Sequence, residues 1–182
     1  PRFCVMVGFE KVSVQRCLNK GVKMLFKRIV LSLGLFFVCA QSHAGDANRA
    51  FAAAQGGDFD TALTEWMPLA EQGFARAQYN VGVMHEMGEG VAKYYKTAVK
   101  WYRLAAEQGY IFAQYNLALK FFKGEGVAKD PIAAVKWYTL AAEQGHVKSQ
   151  YNLAVMYDTG DGIPEDNAAA LKWYTQAANR GH

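Results

Sequence analysis

Apolar side chains in the larger, C-terminal part of this chain recur with the period of an amphipathic α-helix. Between residues 113 and 123 the small and apolar side chains fall at i, i+4, i+5, i+8 and i+9, and they are Ala113, Leu117, Ala118, Phe121 and Phe122. These positions form one broad face of a helix. A Gly-Glu-Gly segment follows at 124–126, and glycine readily takes the left-handed conformation that ends a helix. The pattern predicts a helix over 113–123.

A second helical pattern begins at Asp130-Pro131 and stops at Gly145. An aspartate can cap the first turn, and the proline that follows it occupies the position where its missing N–H costs nothing. The apolar stripe combines large with small side chains, namely Ala134, Trp137, Tyr138, Ala141 and Ala142. The alanines leave shallow surface, so a neighbouring helix can approach closely while the aromatic rings project into it.

This pair of helices is repeated along the chain with a step of 36 residues. The tetrapeptides at 77–80, 113–116 and 149–152 are nearly identical, and residues 74–109 match residues 110–145 at 21 of 36 positions without a gap. A single helical pair cannot bury its apolar stripe, whereas stacked pairs bury one another. The repetition predicts an all-α stack of helix pairs in which the same packing contact recurs.

The phrases KWYTLAAEQG, AQYNLA and GEGV resemble the signature of the Sel1-like repeat family, whose repeats are related to tetratricopeptide repeats. The resemblance covers residues 46–182. It implies a right-handed, curved α/α solenoid of about four helix pairs, with the first helix of each pair on the concave side. We expect a degenerate opening pair at 46–73 and three repeats at 74–109, 110–145 and 146–181.

Two positions depart from the regular pattern. Pro68 lies within the second helix of the opening pair, where its missing N–H is expected to interrupt the helix. In the first full repeat, Tyr94-Tyr95 stands where the next repeat has Asp130-Pro131, so that helix is expected to lack a side-chain cap.

The first 44 residues differ in composition from the rest. They carry seven Lys and Arg side chains and one acid, whereas residues 45–182 carry 13 basic and 15 acidic side chains. Residues 24–44 have the order of a secretory signal peptide: a basic start, a 12-residue apolar core at 29–40, and small residues before a cleavage after Ala44. The alternative is a retained membrane anchor. Residues 1–23 are expected to be translated upstream sequence or part of a fragment.

These features predict an exported protein, periplasmic or secreted, that touches the membrane only through its signal segment. All three cysteines, Cys4, Cys17 and Cys39, precede the expected cleavage site, and Ser149 is the single serine after it. We therefore expect no enzymatic activity, cofactor or metal site. The basic excess lies in the leader, so no nucleic-acid partner is expected.

The resemblance implies a scaffold that binds a protein or peptide. Some cysteine-rich members of the family bind or hydrolyse β-lactams, so the alternative function is binding or hydrolysis of a cell-wall-type small molecule. If specificity lies where the repeats disagree, the partner-binding strip lies on the first helices and the turns before them. His85 replaces Phe121 and Tyr157, and we interpret it mainly as an aromatic substitute. The expected strip consists of Arg76, Met84, His85, Met87, Phe112, Lys120, Lys123, Lys148 and Met156. The same variation also fits an exposed face that binds nothing.

Overall fold

The structure, a computed structural model, describes residues 48–181. Residues 1–47 and His182 lie outside this part, and with them the expected upstream segment, signal peptide and cysteines. The described residues form eight helices and no strand. The first helix, α1, covers residues 48–55. It is followed by α2 (Phe59–Glu71), α3 (Ala75–Met87), α4 (Tyr95–Glu107), α5 (Ile111–Lys123), α6 (Pro131–Glu143), α7 (Val147–Thr159) and α8 (Asn167–Ala178).

From α2 to α8, each helix packs mainly against the helix before it and the helix after it in sequence. This arrangement is an α/α solenoid, as the repeats predict. The pairs α3–α4, α5–α6 and α7–α8 are the three full repeats, and α1–α2 is the opening pair. We call α3, α5 and α7 the first helices, and α4, α6 and α8 the second helices. No helix in the described part is long and apolar enough to cross a membrane.

Each first helix ends as its sequence predicts. Gly88, Gly124 and Gly160 take left-handed φ angles of 80°, 73° and 62° and donate their N–H groups to carbonyls in the last turn. A residue with a Cβ would be strained in this conformation. The three glycines therefore stop the first helices at the same point of every repeat.

The starts of the second helices differ in the predicted way. Asp130 accepts a hydrogen bond from Ala133 N at 2.9 Å, and Asp166 accepts one from Ala169 N at 2.9 Å. Tyr94, at the same position of the first repeat, makes no side-chain cap. That helix therefore begins without a stabilising contact worth about 1 kcal/mol.

The prediction that Pro68 interrupts the second helix of the opening pair is wrong. Helix α2 continues through Pro68 to Glu71, and Gln72 N donates to Pro68 O at 3.1 Å. Pro68 and Thr64 are both exposed. The carbonyl of Thr64, which loses its usual donor to the proline, can therefore be solvated by water, and the helix survives.

The core is built from alanines on the second helices and the aromatic residues beside them. Tyr102 and Tyr138 are fully buried, and Trp101 and Trp137 pack at the edge of the core. The buried alanines let adjacent helices approach closely; they are Ala98, Ala105, Ala106, Ala134, Ala141 and Ala142. This packing fixes the first helices side by side.

Candidate binding surface on the first helices

The three first helices present the same register positions to solvent. Position i is Arg76 in α3, Phe112 in α5 and Lys148 in α7. The other positions are i+3, i+4, i+7, i+10 and i+11, and together they form one face of a helix. Their side chains are exposed or half-buried. We call this surface the first-helix face; it consists of Arg76/Phe112/Lys148, Tyr79/Tyr115/Tyr151, Asn80/Asn116/Asn152, Val83/Leu119/Val155, Glu86/Phe122/Asp158 and Met87/Lys123/Thr159.

Five of the nine residues expected in the partner-binding strip lie on this face. They are Arg76, Met87, Phe112, Lys123 and Lys148, and all five are exposed. Their position on the surface agrees with the prediction, while their part in binding stays a prediction.

The other expected strip residues are placed differently. Met84, Lys120 and Met156 are only 1%, 2% and 3% exposed and belong to the interior, so the expectation that they line an exposed strip is wrong. Each directly follows one of the half-buried residues Val83, Leu119 and Val155, and the 100° turn per residue carries its side chain inward. His85 is half-buried, and its Nδ1 is buried without a hydrogen-bond partner.

Lys120 is buried because it has two carboxylate partners. Its Nζ lies 2.5 Å from Glu86 Oε1 and 2.6 Å from Glu125 Oε2. The same ammonium stands 4.6 Å from the centre of the Tyr95 ring. Burial by itself lowers the pKa of Lys120, but the hydrogen bonds to Glu125 and Glu86 outweigh it and hold that pKa above its usual value. The Lys120 hydrogen bond likewise lowers the pKa of Glu125.

The second oxygen of Glu86 joins the buried Tyr102 to this cluster. Tyr102 Oη donates to Glu86 Oε2 at 2.5 Å. Burial and this hydrogen bond raise the pKa of Tyr102 far above the usual tyrosine value. We call the interface between the first repeat (α3–α4) and α5 the first junction. Its interior is occupied by these charged and hydrogen-bonded side chains.

The second junction, where the second repeat meets α7, has different residues at the same positions. Phe122 stands where the first junction has Glu86, and Met156 where it has Lys120. The hydroxyl of Tyr138 accepts a hydrogen bond from Asn152 Nδ2 at 3.2 Å instead. Burial raises the pKa of Tyr138 to about 12. A cavity of about 290 Å³ opens here, lined by Leu119, Phe122, Lys123, Tyr138, Val155 and Met156 among others.

Aromatic rings cluster at the other end of the same face. Tyr79 lies 5.2 Å from Tyr110 and 6.1 Å from Phe112 between ring centroids, and His146 lies 4.8 Å from Tyr115 and 5.7 Å from Phe112. These are distances at which aromatic pairs attract. A cavity of about 520 Å³ lies among Tyr79, Phe112, Tyr115, Asn116, His146 and Lys148.

Comparison with known proteins agrees with the repeated geometry. The Sel1 repeat family model matches residues 75–110, 111–146 and 147–182, which together are more than half of the chain. The chain belongs to the Sel1 repeat family. Each matched Sel1 repeat starts one residue after the boundary expected from the sequence, at the first residue of a first helix.

Solved structures of Sel1 repeat proteins have the same fold. The Sel1 repeat protein from Oxalobacter formigenes is 36% identical with a TM-score of 0.71, and the match covers 74% of this chain and 56% of that one. The c5321 protein, a protective antigen of uropathogenic Escherichia coli strains, is 36% identical with a TM-score of 0.74 over 79% of this chain and 32% of that one. The chain thus matches only part of each protein's length. No curated protein sequence matches it.

The invariant glutamines of the Sel1 repeats hold the helices together. Gln78, Gln114 and Gln150 donate from Nε2 to carbonyls near the end of the helix that precedes their own, at 3.1, 3.2 and 3.0 Å. Gln108 and Gln144 in turn donate to the Oε1 atoms of Gln78 and Gln114, both at 2.8 Å. These buried and partly buried hydrogen bonds fix the spacing of the repeats.

A tyrosine and an asparagine follow each glutamine of the first helices in the sequence. In the Sel1 solenoid they lie on the first-helix face. Sequence reasoning missed them because it looked for specificity only where the repeats differ. The spacing in the sequence could have indicated their position. Residues three and four positions after Arg76, Phe112 and Lys148 lie on the same face of the helix.

One juxtaposition resembles a nucleophile beside a base. His146 Nδ1 lies 2.8 Å from Ser149 Oγ. The same nitrogen also accepts from Ser149 N at 3.3 Å, which caps the start of α7. Ser149 is completely buried, so its hydroxyl cannot meet a substrate in this structure. The pair therefore acts as a helix cap. Among residues 48–181, no group of three His, Cys, Asp or Glu side chains is arranged to hold a metal ion.

Proposed function

We propose that this Sel1 repeat protein is an exported, non-catalytic scaffold that binds another protein through its first-helix face. Sel1 repeats commonly form protein-interaction scaffolds. The observation that carries the proposal is the composition of the face. Aromatic and aliphatic side chains lie partly exposed in a continuous register across three helices, with basic residues beside them. Aromatic anchors with adjacent charges are typical of surfaces that bind proteins tightly.

The face is also held in shape before a partner arrives. The glutamine hydrogen bonds and the ring contacts tie each first helix to its neighbours. A preformed surface loses little conformational entropy on binding, so more of the contact energy appears as affinity. The implied concave placement of the first helices would let a partner segment touch all three.

The binding proposal is tested by capture with a matched pair of variants. The full chain with a C-terminal tag is used to capture proteins from the envelope of the producing cell. Phe112→Glu places a charge on the first-helix face, where Phe112 is 50% exposed. Ile132→Glu makes the same change on α6, where the side chain is 72% exposed.

The proposal expects a protein that is held by the wild type and by Ile132→Glu but is lost by Phe112→Glu. Circular dichroism checks that both variants keep their helices. If both variants hold the same proteins as the wild type, the first-helix face is not the binding surface. Export is tested separately by the mass of the protein from the envelope, which should correspond to a chain that begins at Gly45.

A further inference from the structure

We propose that the groove between α5 and α7 binds an extended, acidic peptide segment that inserts two apolar side chains, about three residues apart, into the cavities at its two ends. This inference rests on the proposed function and narrows it to one groove and one class of partner.

The two cavities lie along one line between the same helices. The cavity of about 520 Å³ is lined on α5 by Phe112, Tyr115 and Asn116, and the cavity of about 290 Å³ by Leu119, Phe122 and Lys123. The two sets are seven residues apart, which is about 10 Å at the rise of an α-helix. An extended segment covers the same distance in about three residues. One short segment can therefore place a side chain in each cavity.

The residues around each cavity indicate what those side chains are. The smaller cavity is lined mainly by aliphatic, methionine and aromatic groups, and half of the residues that line the larger one carry rings. Apolar or aromatic side chains gain most from leaving water in such surroundings. The hydroxyl of Tyr138 and the amide of Asn152 already bond to each other at 3.2 Å, which favours an apolar occupant.

The charges around the groove indicate the rest of the segment. The larger cavity is bordered by Lys148 and the smaller one by Lys123, and the described residues that line the two cavities include no carboxylate. Residues 45–182 as a whole carry more acids than bases. The positive charge of the groove is therefore a local feature. A segment with Asp or Glu beside its apolar residues is complementary to it.

The first junction shows why this groove, and not the one between α3 and α5, takes an apolar side chain. Glu86 and Lys120 are bonded to each other there, at positions where the second junction has Phe122 and Met156. An apolar group entering at that point would have to separate a partly buried ion pair. The substitution Phe122→Asp is also compatible with the fold, because Asp158 stands at the same position of the third repeat and accepts from Tyr174 Oη at 3.3 Å.

The test uses random twelve-residue peptides displayed on phage and selected on the immobilised full chain. Enriched peptides are synthesised, and their dissociation constants are measured at low salt for the wild type and four variants. Phe122→Asp and Lys123→Glu change the groove. Ile132→Asp and Lys136→Glu make the same chemical changes on α6, where both side chains are exposed. Circular dichroism and thermal unfolding confirm that all four variants fold.

The expected peptides combine acids with two apolar residues three or four positions apart. Their binding should weaken at least about tenfold in Phe122→Asp and in Lys123→Glu, and should stay within about twofold in the two controls. Peptides without acids, peptides whose binding ignores Phe122→Asp, or no enriched peptide at all would overturn this inference. A fifth variant, Arg76→Glu on α3, is measured in the same way. If binding is lost there instead, the first-helix face still binds peptides and only the assignment to the α5–α7 groove fails. Protein capture tests the broader proposal independently.

Discussion

The first and second junctions share one backbone plan but have opposite interiors. The glutamine hydrogen bonds are the same in both, and a buried tyrosine, Tyr102 or Tyr138, lies at the centre of each. In the first junction Glu86 and Lys120 form a charged cluster with that tyrosine. In the second, Phe122 and Met156 leave an open apolar cavity. The comparison shows that a repeat scaffold can keep its geometry while the residues at these two positions differ, so that ions fill the interior of one junction and an apolar cavity opens in the other.

A third difference belongs to the same set. Gly82 of the first junction stands where the later repeats have Ala118 and Ala154. A Cβ at Gly82 would lie 2.7 Å from Cε1 of Tyr102. The Tyr102 ring therefore packs directly on the glycine backbone, in the position in which its hydroxyl reaches Glu86. The glycine and the acid are two parts of one local arrangement.

The largest effect is expected when the charged cluster is broken on one side. Glu86→Ala removes one of the two carboxylates from Lys120 and the acceptor of the Tyr102 hydroxyl. Lys120 keeps its ion pair with Glu125, but the buried Tyr102 hydroxyl and one hydrogen-bonding position of the Lys120 ammonium lose their acceptor, which typically costs about 1–3 kcal/mol. The free energy of unfolding, measured with urea, should fall by about that amount.

Two further variants sharpen this prediction. Asp158→Ala removes the equivalent acid of the third repeat, which makes an exposed hydrogen bond, and should cost less than about 1 kcal/mol. The double substitution Glu86→Phe with Lys120→Met copies the second junction and should be nearly neutral, because the only charge it leaves unpaired is that of Glu125, whose side chain is 33% exposed and can be hydrated. A loss below about 1 kcal/mol in Glu86→Ala would mean that the cluster contributes little to stability.

An effect of intermediate size is expected at Gly82. Alanine has the higher helix propensity by about 1 kcal/mol, but forcing a methyl group against the buried Tyr102 ring should cost about 1–3 kcal/mol. Gly82→Ala should therefore lower the free energy of unfolding slightly, by about 1 kcal/mol. In the Glu86→Phe, Lys120→Met background the ring is no longer held by Glu86 and can shift, so the same change should stabilise. If Gly82→Ala stabilises the wild type, the close contact is not maintained in solution.

Much of this architecture could be predicted from the sequence, because it depends on local chemistry that each repeat carries in full. The helix ends at Gly88, Gly124 and Gly160 and the caps of Asp130 and Asp166 are of this kind. Pro68 was misjudged because its effect depends on whether the freed carbonyl reaches water, which is a property of the packed structure.

The charged interior of the first junction could not be predicted from the sequence of a single repeat. Lys120 differs from Met84 and Met156, and that difference was interpreted as exposure, whereas the structure shows a buried lysine with two acids. Its partner Glu86 lies 34 residues earlier, in another repeat. The ion pair can be inferred when positions 84/120/156 are compared with positions 86/122/158. The lysine, Lys120, lies in the repeat directly after the one that carries the acid, Glu86. The ion pair is indicated by comparing two positions in neighbouring repeats, and not by the differences at a single position.

The smallest expected effect concerns pH and again contrasts equivalent positions. His146 stands where the earlier repeats have Phe74 and Tyr110. Burial, helped by the nearby charge of Lys148, lowers the pKa of His146 below its usual value of about 6.5. The unfolded chain therefore binds a proton more readily, so stability is fully present above about pH 6.5 and is lost as pH falls through the range below it.

His146→Tyr copies the residue of the preceding repeat and removes this titration, although it also removes the cap on Ser149 N. The melting temperature should therefore fall more between pH 7.5 and pH 5.5 in the wild type than in the variant, whatever the absolute difference at pH 7.5. Acids that titrate near pH 4.5 are common to both proteins and cancel in this comparison. Equal losses over that interval would show that His146 accepts a proton as easily in the folded chain as in the unfolded one, and that the ring is more open to water than its contacts with Phe112 and Tyr115 indicate.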